Sequence, residues 1–243
     1  METRVKRLEE ALDRGEASPP KEWQLRIVQS EECQSYVAWN ETTREALVVD
    51  PKREDWSAYL AVASELSGYL WLGVVDTHTH ADHVSAAPRL AEELKAPLIM
   101  HEKAPSRRVS LRVGTDTTLA SKAAPVELLL TPGHTPDSLS VLWGPFLFSG
   151  DTLLYGDVGR DDLPGGDPAA HFESVRKLEA RARPDAIVLA GHDGKGGRAS
   201  SWKTQLALNA SLRQGRDEFV RDAAAFDAPA PKLLKESLRE NFK

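Results

Sequence analysis

The sequence is short of several things, and each shortage removes a class of protein. It holds one cysteine, Cys33, in 243 residues, so no disulfide can form within the chain and no cysteine-rich structural zinc site can be built. No apolar run approaches the length of a membrane span, and no membrane partner is expected. Positive charge is not in excess: 31 lysines and arginines face 37 aspartates and glutamates, a net charge of -6. A nucleic-acid binder usually presents a basic face, so no nucleic-acid partner is expected either. The opening stretch METRVKRLEEALDRGE is charged throughout and has no apolar signal core, which leaves a cytoplasmic chain as the expectation. Repeats and low-complexity segments are also missing. What remains is ordinary for a globular enzyme, with 41% hydrophobic and 28% charged residues. Such a chain can bury a real core as one large α/β domain or two small ones.

Short apolar runs at Leu25–Val28, Tyr36–Trp39 and Ala46–Val49 read as strands, followed by a helix over Trp56–Leu66. Tyr69–Val75 predicts a buried strand, Ser85–Leu94 a helix and Pro97–Met100 a strand. The middle third is β-rich at Val126–Leu130, Ser138–Leu142 and Phe146–Phe148. The last third returns to a helix at Phe172–Arg181, a strand at Ala186–Ala190 and a helix at Ser201–Leu212. Two blocks of strands with helices predict packed sheets with helices on the outer faces. Val5, Leu8 and Leu12 fall on one face of a short helix broken by Gly15 and Ser18-Pro19-Pro20. Residues 1–20 are therefore expected to be a helical appendage, with a homodimer contact as the alternative, and 21–243 a single domain.

Ligand-type residues sit at the ends of these strands. Thr77-His78-Thr79-His80-Ala81-Asp82-His83 places three of the seven histidines directly after the strand ending at Val75. His134 follows Val126–Leu130, Asp151 follows Phe146–Phe148, and His192 follows Ala186–Ala190. Gly133, Gly150 and Gly191 stand beside three of these positions and permit sharp turns. Each cluster alone is weak, but four at strand ends would converge on one rim. Imidazole and carboxylate suit zinc, iron and other first-row metals. Asp76 is either a hydrogen-bond partner for a ligand or a turn cap, and Cys33 reads as a passive thiol.

His78-Thr79-His80-Ala81-Asp82-His83 with His134, Asp151 and His192 resembles the HxHxDH…H…D…H pattern of the metallo-β-lactamase superfamily. That resemblance implies an α/β fold: an αβ/βα four-layer sandwich of two mixed β-sheets flanked by helices, with metal at one rim. Within it the chain looks most like the persulfide dioxygenases (sulfur dioxygenases). Thr131-Pro132-Gly133-His134-Thr135-Pro136, Phe148-Ser149-Gly150-Asp151-Thr152-Leu153-Leu154 and Gly159-Arg160-Asp161-Asp162 resemble their blocks. Glu218-Phe219-Val220 and Pro229-Ala230-Pro231-Lys232 with Asn241 resemble their tail, where glyoxalase II carries a longer helical domain.

The resemblance implies one Fe(II) per chain held by His78, His134 and Asp151. His80, Asp82, His83 and His192 would then orient that set through hydrogen bonds. No catalytic side chain is implied beyond the metal centre. The implied reaction oxidises glutathione persulfide, or a related thiol persulfide, with O2 to sulfite and free thiol. Thr135, Arg160 and Asn241 match residues toward the glutathione end. Arg160 could grip a carboxylate bidentately or pair with Asp161 or Asp157. The chain departs from the family after His192, where a tyrosine is usual and Asp193-Gly194-Lys195 stands instead. A family arginine also aligns with Ser211, although Arg213 is nearby, so Lys195 and Arg198 are candidates to hold the substrate's carboxylates. The alternative is a dinuclear zinc hydrolase of the glyoxalase II or lactonase type, because every residue of a two-metal site is retained.

Overall fold

The computed structural model describes residues 3–12, 16, 18–193, 198–226 and 228–243. Two sheets face each other across one core. The first runs in chain order: β1 (Arg4–Arg7), β2 (Trp23–Ser30), β3 (Cys33–Asn40), β4 (Glu45–Val49), β5 (Leu70–Val75), β6 (Leu98–His101) and β7 (Leu111–Val113). The second contains β8 (Thr117–Leu119), β9 (Val126–Leu130), β10 (Leu139–Trp143), β11 (Phe146–Gly150), β12 (Ile187–Ala190) and β13 (Ser200–Ser201), in the order β13-β12-β11-β10-β9-β8. Both mix parallel and antiparallel pairs: β1 to β4 pair antiparallel and β4 to β7 parallel, while β11–β12 is the parallel pair of the second sheet.

The alternation of side chains along each strand explains the layers, since successive residues point to opposite faces. Leu25, Ile27, Tyr36, Ala38, Leu47 and Val49 point inward and meet Leu128, Val141, Phe146, Phe148 and Leu189 of the second sheet. The intervening Val28, Val37, Trp39, Ala46 and Val48 point outward, under Tyr59 and Val62 of α2 (Trp56–Glu65) and Leu90 of α3 (Ala87–Leu94). On the other side, Leu129, Leu147 and Val188 are covered by Val175 and Leu178 of α4 (Pro168–Arg181) and Trp202 of α5 (Trp202–Leu208). The expected four layers, helix–sheet–sheet–helix, are present. At 0% exposure, Trp143 packs edge-on to Trp23 and closes one end of the core.

The ends of the chain differ from the sequence reading. The helix expected across Val5, Leu8 and Leu12 is only the turn α1 (Leu8–Ala11), and Arg4–Arg7 is a strand. The open edge of β2 offers unpaired backbone groups, and residues 4–7 pair with it instead of forming a helical turn. Gly15, expected to break that helix, lies outside the described residues. The helix expected over Ser201–Leu212 stops at Leu208, where Asn209 caps a 3₁₀ turn at Ala210–Arg213 by accepting from the Ser211 N–H. Two further helices follow, α6 (Arg216–Ala224) and α7 (Leu234–Asn241).

Candidate metal centre

Four strands of the two sheets end at one rim and deliver the polar residues there. β5 leads into the loop of His78, His80, Asp82 and His83, β9 into that of His134, β11 into Asp151, and β12 into His192. Two of the adjoining glycines are required by geometry. Gly133 has φ +146°, and a side chain on it would run into the backbone of His171 in α4; Gly150 has φ +52° and touches Thr77 where a Cβ would stand.

His78, His134 and Asp151 are all buried, and one potential ligand atom from each lies within 4.8 Å of the other two. The hydrogen bonds fix which atoms these are. The Thr77 hydroxyl donates to Asp50 Oδ2 (2.8 Å), so it accepts from His78 Nδ1 (3.0 Å). His134 Nδ1 lies 2.6 Å from the Arg160 carbonyl, which can only accept. Each ring hydrogen is thereby committed to Nδ1, and each Nε2 keeps its lone pair. Those two lone pairs face one oxygen, Asp151 Oδ2, at 4.0 Å from His78 and 3.5 Å from His134. Two ligands about 2.1 Å from a shared ion sit roughly 3–3.5 Å apart; the His134 spacing falls in that range and the His78 spacing exceeds it by about half an ångström, so a small inward shift would let both ligate one cation. Burial, with His80 beside it, holds the His78 imidazole well below its ordinary pKa, in the neutral form a ligand needs. Burial alone would raise Asp151, but His192, His134 and His78 outweigh it and keep the carboxyl ionised far below its usual range.

Beside this triad, Cys33, Asp82, His83 and His192 bond to one another. His192 lies between two carboxylates, with Nδ1 2.9 Å from Asp151 Oδ1 and Nε2 3.1 Å from Asp82 Oδ2. Against the opposing effect of burial, Asp151 and then Asp82 raise its pKa well above the ordinary value, so it is held as an imidazolium. Asp82 Oδ2 also accepts from the Cys33 thiol (3.0 Å) and from His83 Nδ1 (3.0 Å). His80 instead faces inward, its Nε2 3.2 Å from Asp50. Two ring nitrogens, His80 Nδ1 and His83 Nε2, are buried without a partner.

Several residues assigned to the substrate from the sequence make contacts within the protein. The carboxylate grip expected of Arg160 is taken up inside the protein. Its Nε and Nη2 clasp Asp162 at 2.6 Å, and Nη1 and Nη2 donate to the carbonyls of Pro229 and Ala228 at 2.9 Å. The partner is Asp162 because Asp161 is turned inward onto His171 (2.6 Å), which also reaches the Thr152 carbonyl. Asn241, expected at the substrate, spends its side chain on the metal loop. Its amide donates to the carbonyls of His80 and His83, and its oxygen accepts from the Ser85 N–H, each at 2.9 Å. Thr135 turns its hydroxyl to Ser138 (2.7 Å). Arg198 stacks over Tyr155 at 3.6 Å and pairs with Asp193, and Lys195 lies outside the described residues. Cys33 stands at the rim because β3 starts there, and burial raises its thiol pKa, which keeps it protonated and agrees with the reading of a passive thiol. Asp76 is buried, and desolvation raises its carboxyl to about 6.

Sequence reasoning missed Asp50, Asp137 and His171. Asp50 ends β4 at φ +52° and accepts from the Thr77 N–H (2.7 Å), the Thr77 hydroxyl and His80. Asp137 accepts from the Thr79 N–H and hydroxyl at 3.0 and 2.5 Å. The aspartate at the end of the apolar run Ala46–Val49 was the available signal for Asp50. Asp137 shares the loop of His134 and carried that signal, whereas His171 carries none, because only packing brings α4 to the rim.

The profile of the metallo-β-lactamase superfamily matches residues 104–192. The human mitochondrial persulfide dioxygenase ETHE1 is 25% identical over 211 residues, covering 86% of this chain and 83% of that protein. A hydroxyacylglutathione hydrolase from Anaeromyxobacter dehalogenans is 33% identical over 194 residues, covering 78% and 73%. Among solved structures, ETHE1 from Myxococcus xanthus superposes with a TM-score of 0.82 at 28% identity, over 90% of this chain and 97% of that one. Two facing mixed sheets, ligand-type residues at four strand ends and these similarities together make the chain a member of the metallo-β-lactamase superfamily.

Proposed function

We propose that the protein is an iron-dependent persulfide dioxygenase acting on glutathione persulfide or a related thiol persulfide. The observation that carries this is the division of the rim residues into two sets. Two bare Nε2 atoms and one carboxylate oxygen face a common point, whereas Asp82 and the second Asp151 oxygen are already bonded to His192. Two imidazoles and one carboxylate are the donor set of non-haem Fe(II) oxygenases, which leaves positions for substrate and O2. Fe(II) held by His78, His134 and Asp151 would supply the electrons that activate O2 and a coordination position for the persulfide sulfur. The balanced reaction is R–S–S–H + O2 + H2O giving R–S–H and sulfurous acid, which ionises to sulfite. Asp50 and the Arg160 carbonyl keep the two imidazoles in the ligating tautomer, and His192 holds Asp151 with its other oxygen toward them. The similarity to persulfide dioxygenases over most of the chain supports the same reading.

A dinuclear hydrolase is the second reading. It is favoured by the unpartnered His80 Nδ1 and His83 Nε2, which a two-metal site would use, and by the 33% identical hydroxyacylglutathione hydrolase. Oxygen uptake with glutathione persulfide, measured beside metal content on protein produced without added zinc, separates the two. One iron per chain and O2 consumption matched by sulfite support the dioxygenase. Two zinc ions per chain, with thioester hydrolysis and no O2 uptake, would overturn it.

A further inference from the structure

A cavity of about 240 Å³ lies on the reverse side of the metal loop, between α3 and the C-terminal helix α7. His78, Thr79 and His80 form part of its wall, but neither His134 nor Asp151 reaches it, so it is separate from the space in front of the ligand atoms. Four cations stand around it, Arg53, Arg89, Arg108 and Lys243, of which Lys243 is paired with Glu240. Only Glu240 and Asp76 among its lining residues carry carboxylates, and Glu240 is already bonded to Lys243 and Arg239.

The three arginines are exposed, and unlike several others they keep their guanidinium hydrogens off the protein. Arg112, Arg160 and Arg176 spend their guanidinium hydrogens on carbonyls or carboxylates. Among the described residues, the guanidinium groups of Arg53, Arg89 and Arg108 make no hydrogen bond. Arg53 and Arg108 have only loose carboxylate neighbours, Glu236 at 3.7 Å and Glu92 at 3.5 Å. Arg89 lies over the Trp56 ring at 4.2 Å, which fixes its plane and leaves its edge of N–H donors unused. Within the cavity wall, Asp76 Oδ1 is buried without a partner, so a hydroxyl or other donor on a ligand would also be met.

We propose that this cavity binds a small organic polyanion, a molecule with at least two carboxylate or phosphate groups, at a site distinct from the metal pocket. Planar guanidinium forks pair with both groups bidentately. The cavity suits a small acid rather than a peptide. Because its wall includes the loop that carries His78, a bound ligand would press on that loop from behind.

The test is calorimetric titration of the metal-loaded protein at low ionic strength, with metal content measured before and after. Tricarballylate carries carboxylates only and glucose bisphosphate phosphates only, so the two probes distinguish the source of the anion. At least one should bind saturably, once per chain, and more tightly than sulfate. Arg89→Ala and Arg108→Ala should each weaken it by about tenfold or more, the loss expected for one charge-assisted hydrogen bond. Their melting temperatures should stay near wild type, since both side chains are exposed and make only a ring contact with Trp56 and a loose pair with Glu92. Lys177→Ala, in α4 on the far side of the molecule's second sheet, should change nothing. Binding no tighter than sulfate, or equal weakening by Lys177→Ala, or wild-type affinity in the double variant, would overturn the proposal. The readout is binding rather than turnover, so it stands or falls separately from the dioxygenase reading.

Discussion

In the pocket of His78, His134 and Asp151, each imidazole commits its hydrogen to the protein and turns a bare nitrogen toward a carboxylate oxygen. Next to it, Cys33, Asp82, His83 and His192 use the same residue types in the opposite manner. There the hydrogens of Cys33, His83 and His192 face carboxylate oxygens, and an imidazolium supplies positive charge to the buried Asp151 and the half-buried Asp82. The first arrangement is electrostatically incomplete until a cation enters, because three electron-rich atoms face one another. The second carries its own positive charge, although His83 Nε2 is left bare and Cys33, Asp82 and His83 also lie close enough together to hold an ion. Ligand-type residues in one motif can therefore be either a metal site or the frame that holds one, and hydrogen positions decide between them.

The sharpest way to break this comparison is to remove one member of each set. His78→Ala, His134→Ala and Asp151→Ala should each reduce bound metal to background, because two ligands cannot retain a labile divalent ion. Asp82→Ala should leave metal bound while lowering affinity or turnover by roughly 10–100-fold, the usual cost of losing a partner that orients a ligand. Elemental analysis of the four purified variants checks both statements. Metal retained by a triad variant and lost by Asp82→Ala would reverse the assignment.

A second test uses pH on metal-free protein. His192 has its folded pKa raised, so its contribution is full below the ordinary 6.5 and disappears as pH rises through the folded value. Asp82 has its folded pKa depressed, so its contribution is present above 3.8 and lost in acid. The stability advantage of wild type over His192→Gln should therefore be greatest between these two values and shrink on the alkaline side. Denaturant midpoints across that range measure it, and a pH-independent difference would remove the imidazolium from the account.

Smaller effects are expected from the supports. Asn241→Ala removes three hydrogen bonds from the metal loop, together worth about 1–3 kcal/mol. A melting-temperature fall of roughly 2–4 °C per kcal/mol, with faster metal release to a chelator, is the expected result. Arg160→Ala should have the least effect on substrate recognition, because its donors are held by Asp162 and two carbonyls. Its KM change should be equal for glutathione persulfide and for a persulfide lacking carboxylates. A rise confined to glutathione persulfide would return Arg160 to the substrate site.

Much of this was legible because the signals are local. Strands β2 to β6 and β9 to β12 announce themselves by short apolar runs, and the rim residues stand directly after strands at glycine-marked turns. The edge elements were less legible. Arg4–Arg7 is a strand because β2 has an open edge, and no property of those four residues by themselves requires it. Nothing local in the sequence indicates that backbone carbonyls accept from the side chains of Asn241 and Arg160.

The sequence by itself determined the layers and the ligand inventory, because strand alternation and residue chemistry are carried by neighbours along the chain. Only the tertiary structure decided how that inventory divides. The tautomers of His78 and His134 are set by Thr77, Asp50 and the Arg160 carbonyl, and the charge of His192 by Asp82 and Asp151. All but one of these partners come from other strands or loops, and a hydrogen bond depends on distance in space rather than separation in sequence.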